Sequence, residues 1–113
     1  MSFAATAQQV FWRTKTVTRR KGWKDLQPGA LLQPFLKAQG LKAGEHVEPI
    51  GGPIRVVSVS QTVLGDITPQ DVHREGFPAM TVDEFLRMFR AINPGSRRTD
   101  RVTRIQFEYV DAE

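Results

Sequence analysis

A chain of 113 residues, 40% hydrophobic and 25% charged, is long enough to bury one core and too short for two domains, so residues 1–113 are read as a single soluble domain. The absence of cysteine excludes a disulfide framework, a thiolate zinc site and cysteine catalysis, and two histidines, His46 and His73, make no case for a metal or another cofactor. No apolar run nears the roughly 20 residues that span a bilayer, and residues 1–9 lack the basic-then-apolar pattern of a signal peptide, so the expectation is a cytoplasmic monomer with no membrane partner.

The net charge is +4, and its distribution is uneven. Residues 13–24 hold Arg13, Lys15, Arg19, Arg20, Lys21 and Lys24 with no acid, which is +6. Residues 97–104 hold Arg97, Arg98, Arg101 and Arg104 against Asp100, which is +3, and the rest of the chain is then −5. Two cationic segments on an acidic body point to an anionic partner, nucleic acid first.

In chain order, residues 4–12 carry Ala7, Val10 and Phe11 at helical spacing, with Thr6 as a candidate cap. The run Thr14-Lys15-Thr16-Val17-Thr18-Arg19-Arg20 is strand-like, with Thr14, Thr16, Thr18 and Arg20 on one face and Lys15, Val17 and Arg19 on the other. A bend or bulge near Thr16 would bring the Lys15 amine and the Thr18 hydroxyl together, a known way to make a nucleophile; the plain alternative is an edge strand with a solvated basic face. After the Pro28-Gly29 turn, residues 30–36 read as a strand interrupted by Pro34, residues 38–53 as a long glycine-rich loop, and residues 54–64 as the strongest strand.

Thr68-Pro69-Gln70-Asp71 opens a helix with a cap, a proline at its first position and an acid near the third; it stops at Gly76. Thr81 to Glu84 resembles a capping box for a second helix with the apolar stripe Phe85, Met88, Phe89 and Ile92, ended by Asn93-Pro94-Gly95. Residues 102–110 close the chain as a strand. Strands with helices inserted near both ends predict an α+β fold, a small mixed β-barrel whose mouth the helices cover.

The Lys15-Thr16-Val17-Thr18-Arg19-Arg20 strand, the Pro28-Gly29 turn, the Glu75-Gly76-Phe77 helix end, the helix running to Asn93-Pro94-Gly95 and the closing Arg104-Ile105-Gln106-Phe107 strand together resemble the ASCH domain, a family of the PUA-like superfamily of small β-barrels associated with RNA. The resemblance covers residues 3–110 or so. For the single-domain amidohydrolases of that family it implies removal of the acetyl group of N4-acetylcytidine, with the family's lysine, threonine and glutamate matching Lys15, Thr18 and Glu75. Thr18 would attack the acyl carbonyl, Lys15 would take or hold its proton, and Glu75 would protonate the leaving nitrogen or orient the substrate; a directly attacking water is the alternative. Arg13 stands where the family has glycine, and Ala30 where it has aspartate.

Arg19 and Arg20 are candidates to depress the Lys15 pKa and to contact substrate or nucleic acid, Arg20 also to hold a phosphate or pair with Glu75. Trp23, between Lys21-Gly22 and Lys24, is the aromatic expected to be exposed for stacking on a base, with Trp12 and Phe77 assigned to the core, and Arg97 and Arg98 are candidate phosphate contacts. Two functions compete: an amidohydrolase acting on an acylated nucleoside or nucleobase, and a module binding RNA or single-stranded nucleic acid. A ribonuclease is the weaker third, because no histidine near the motif offers a general base.

Overall fold

A computed structural model describes residues 1–36 and 48–111. The chain runs through a 3₁₀ turn (Ala4–Thr6), α1 (Ala7–Phe11), β1 (Val17–Arg20), β2 (Leu31–Leu32), β3 (Ile54–Val63), a second 3₁₀ turn (Leu64–Asp66), α2 (Pro69–Arg74), α3 (Val82–Ile92) and β4 (Arg101–Tyr109). The four strands form one curled antiparallel sheet, a half-barrel in the order β1-β4-β3-β2. Among the described residues the only parallel pairing is an isolated bridge, Ser2 to Phe35, so the sheet is antiparallel where a mixed one was expected. The described fold is therefore α+β, with α2 and α3 inserted between the two longest strands.

β3 and β4 pair from Ile54 opposite Tyr109 to Val63 opposite Arg101, with a shift in register between Val56 and Ser58. Val57 is the extra residue and is exposed, while Val56 on one side of it is fully buried. A bulge of this kind increases the local twist, which suits a curled sheet. Met1, Phe3, Val10, Ile50, Ile54, Val56, Ile105 and Phe107 make one core cluster, and Leu64, Ile67, Val72, Phe85, Leu86, Phe89 and Val102 make a second beneath the helices.

Local chemistry decides the helix ends at α2 and α3. The Thr68 side chain accepts from the Asp71 amide at 3.1 Å with Pro69 at the first helical position, and Thr81 and Glu84 form a reciprocal capping box, as expected. Gly76 takes φ 103° just past α2, a conformation that glycine adopts without a side-chain penalty. The first helix departs from expectation. It is a 3₁₀ turn followed by five α-helical residues, and Thr6 is buried and makes no cap bond. The expected strand over residues 30–36 shrinks to Leu31–Leu32 and a bridge at Phe35, because Pro34 has no amide to give to a ladder. Most of the expected 38–53 loop lies outside the described residues. No described helix is long and apolar enough to cross a membrane.

Candidate functional site

The segment between α1 and β1 is irregular, and that irregularity builds the site. Arg13 has φ 61°, a left-handed conformation at the position where the resemblance would have glycine. The Gln9 carbonyl accepts from the Thr14 and Lys15 amides at 2.8 and 3.3 Å, the Thr16 amide donates to the Arg74 carbonyl at 2.8 Å, and the Tyr109 hydroxyl donates to the Lys15 carbonyl at 2.5 Å. The strand itself begins only at Val17. Lys15 and Thr18, which strict alternation would send to opposite faces, therefore line one cavity of about 420 Å³.

Glu75 closes the same cavity from the C-terminal end of α2. Lys15 Nζ donates to the Glu75 carboxylate and to the Glu75 main-chain carbonyl, both at 2.9 Å, and the two side chains are 3% and 4% exposed. Gly76 leaves room for the Gln9 side chain beside this pair. A Cβ there would lie 2.8 Å from Gln9 Cγ and 3.4 Å from Lys15 Cβ. Glu75 is thus a buried, doubly paired carboxylate and not a solvated helix-end acid.

Behind it lies a network in which Arg19 donates to Glu75 at 3.1 Å and to Asp71 at 2.5 Å. Asp71 also accepts from Arg104 at 2.7 and 3.0 Å and from Arg74 at 2.9 Å. The bond from Arg104, followed by those from Arg19 and Arg74, holds the Asp71 carboxyl far below the usual carboxylate range. Sequence reading took Asp71 only as a first-turn acid. Its spacing of four residues from Glu75 on one helix was the available signal, since that places both carboxylates on one face.

Burial lowers the Lys15 pKa, opposed by the Glu75 carboxylate and assisted by Arg20 and then Arg19. Lys15 Nζ and Thr18 Oγ1 share the cavity without a hydrogen bond between them among the described residues; the Thr18 hydroxyl accepts instead from Arg20 Nε at 3.1 Å. Arg20 makes no ion pair with Glu75. Phe77, Phe85 and Phe89 supply an aromatic wall, and Trp23 stands at the rim, 42% exposed, with φ 60° after Gly22 at φ 84°. A tryptophan held in that region carries about 1–2 kcal/mol of strain.

Six of the eight proposed site residues, Lys15, Thr18, Arg19, Arg20, Trp23 and Glu75, thus border one cavity. Arg97 and Arg98 do not: Arg97 is exposed, and Arg98 pairs with Asp83 at 2.9 Å on the surface. Their loop and the start of β4 still adjoin the first cationic segment, through Lys21 to Asp100 at 3.3 Å and through the Thr103 hydroxyl to the Gly22 carbonyl at 2.5 Å. Trp12 corrects an expectation. It is 71% exposed and packs edge-on against Phe11, itself 60% exposed, on the outer face of the last turn of α1, opposite the buried Val10. Among the described residues no three His, Asp or Glu side chains gather as a metal site.

No protein-family model matches the sequence, and no curated protein matches it either. Among solved structures, the chain is similar to the crystal structure of protein EF3133 from Enterococcus faecalis V583, described by the family model DUF984. The TM-score is 0.61 at 14% identity, over 96% of this chain and 74% of that one. The likeness is one of fold, and function rests on the cavity.

Proposed function

We propose that the protein is an amidohydrolase that removes an acyl group from the exocyclic nitrogen of a nucleobase or nucleoside, of the N4-acetylcytidine kind, and that its half-barrel is a PUA-like fold of the ASCH family. The observation that carries this reading is the buried Lys15–Glu75 pair beside the Thr18 hydroxyl in an aromatic-walled cavity. A cavity of this volume falls in the range of small-ligand sites, with Phe77 and Trp23 offering flat surfaces to a base. A lysine whose pKa is lowered by burial reaches the neutral amine more readily and can then take the hydroxyl proton.

In this reading Thr18 attacks the acyl carbon, Lys15 accepts its proton and passes it to the leaving exocyclic nitrogen, and Glu75 holds the amine in place. Water then attacks the acyl-threonine ester, and the carboxylate product leaves. Incubation with N4-acetylcytidine, followed by chromatography for cytidine and acetate, tests the reading; no release of cytidine at micromolar enzyme rejects it for that substrate.

Binding of RNA or single-stranded nucleic acid is favoured by one observation, the junction of the two cationic segments between Asp100 and Lys21, the latter bordering the cavity. Its support is reduced by ion pairs to Asp111, Asp100 and Asp83, which partner Arg13, Lys21 and Arg98. A ribonuclease fits less well still: His73 borders a separate hollow with Thr14 and Arg74, and no histidine among the described residues borders the main cavity. A mobility shift with short RNA at two salt concentrations, run beside the hydrolysis assay, separates these readings.

A further inference from the structure

We infer that Arg20 is a catalytic residue, the guanidinium that holds the negative charge formed on Thr18 Oγ1 and on the acyl oxygen during attack; this rests on reading the cavity as an acyl-amide hydrolase site. The other side-chain cations bordering the cavity have carboxylate partners: Lys15 has Glu75, Arg19 has Glu75 and Asp71, and Lys21 has Asp100. Arg20 has none among the described residues. Its two hydrogen bonds go to uncharged oxygens, from Nε to Thr18 Oγ1 at 3.1 Å and from Nη2 to the Ser2 carbonyl at 2.6 Å. The Phe3 ring lies against the guanidinium, 4.7 Å from its carbon to the ring centroid, and fixes its plane.

Of the five N–H donors of Arg20, the two on Nη1 and one on Nη2 have no partner among the described residues. The Glu75 carboxylate acts on Arg20 only through space and is already bonded to Lys15 and Arg19, so the half-buried Arg20 still gains from a negative ligand group. Burial lowers the Arg20 pKa from a very high starting value.

The position of Arg20 selects which negative charge this is. A phosphate on a nucleotide sits at the far end of the molecule from an acylated exocyclic nitrogen, so a substrate presenting its acyl carbon to Thr18 keeps its phosphate away from Arg20. The charge that meets Arg20 is the one created by the reaction. As the bond from Oγ1 to the acyl carbon forms, the hydroxyl proton moves to neutral Lys15 and the carbonyl π pair moves onto oxygen. Collapse of the intermediate restores the carbonyl and breaks the carbon–nitrogen bond, and the nitrogen takes the proton from Lys15. Arg20, already bonded to Oγ1 through Nε, stabilises the alkoxide, and its charge acts on the adjacent oxyanion.

The test uses Arg20→Met, which keeps an unbranched stem and deletes the charge, and Arg20→Gln, which keeps an amide donor without charge. Both are checked for folding by near-ultraviolet circular dichroism. With N4-acetylcytidine, either folded variant is expected to lose about 100- to 1,000-fold in kcat with little change in KM. Methylphosphonate, a tetrahedral anion, should bind the wild type and bind the folded variant at least about tenfold more weakly. Wild-type kcat in a folded variant, unchanged methylphosphonate affinity, or no methylphosphonate binding by the wild type overturns the assignment. If the wild type hydrolyses no acylated cytidine but binds methylphosphonate through Arg20, the anion-holding role stands and the hydrolase reading falls.

Discussion

The Tyr109 hydroxyl, at the end of β4, donates at 2.5 Å to the main-chain carbonyl of Lys15, and so anchors the site lysine to the last strand. The same ring lies under the Arg13 guanidinium at 5.6 Å, so one side chain braces both the left-handed turn and the residue it delivers. Tyr109→Phe keeps the ring and deletes the hydrogen bond. It should cost about 1 kcal/mol in urea denaturation and lower hydrolysis measurably, since Lys15 is held less tightly. Burial pushes the Tyr109 pKa up to about 12, so the stability gap between wild type and variant should be constant over pH 6–9 and shrink as pH rises past the unfolded tyrosine value near 10.

Arg13→Gly tests the turn itself. The substitution relieves about 1–2 kcal/mol of left-handed strain and removes an exposed pair with Asp111, whose worth is about 0–1 kcal/mol. Glycine gives back about 0.5–1 kcal/mol through unfolded-state entropy. Urea denaturation should therefore find the variant within about 1 kcal/mol of wild type in either direction; a loss above about 2 kcal/mol would show that Arg13 matters for its contacts and not for its backbone.

Asp71→Asn should be far more severe. The carboxylate is buried among Arg19, Arg74 and Arg104, and neutralising it leaves those cations short of a counter-charge, a loss of about 3–5 kcal/mol. Because its folded pKa is depressed, the contribution of Asp71 is fully present above the unfolded carboxylate value near 4 and is lost as pH falls below it. Denaturation curves from pH 7 to pH 3 should show a steep acid loss in the wild type and a flatter one in the variant. Parallel curves would contradict the network.

Residues whose chemistry is local were legible in the sequence. The Thr68 and Thr81 caps and the Gly76 stop each act within a few residues, and a helix end is largely decided by such groups. The pairing of Lys15 with Glu75 spans 60 residues, and only the family resemblance reached it. Nothing local reveals that Asp71 gathers Arg19 from β1 and Arg104 from β4, or that Arg20 bonds to Thr18 and not to Glu75, because these follow from which strands become neighbours. Trp12 was misplaced for a similar reason: which face of α1 meets the core is set by tertiary packing, with Val10 buried and Phe11 and Trp12 outside.

Gly76→Ala should unfold the site locally or destabilise the whole chain by about 2–4 kcal/mol, the sum of left-handed strain and overpacking against Gln9. Hydrolysis should fall by more than the loss of folded protein explains, since Gln9, whose carbonyl holds the Thr14 and Lys15 amides, must shift. Thermal melting with an activity assay on the folded fraction measures both.

The pH dependence follows from Lys15. Burial lowers its pKa, and the base in the proposed reaction is the neutral amine, so kcat/KM should rise with pH along a limb centred below the ordinary lysine value of 10.5. Lys15→Met, which leaves Glu75 its Arg19 partner, should abolish that limb together with most of the activity. A limb of unchanged midpoint in Lys15→Met would assign it to another group.

The central claim, that the Thr18 hydroxyl is the nucleophile of an acyl-amide hydrolase, is tested most directly by Thr18→Val, which keeps the β-branched shape at a buried strand position. Single-turnover hydrolysis of N4-acetylcytidine should fall by several orders of magnitude in a variant that melts within a few degrees of wild type and binds cytidine with nearly unchanged affinity. Full hydrolysis by the valine variant would contradict a threonine nucleophile and leave a water, activated by Lys15, as the attacking group.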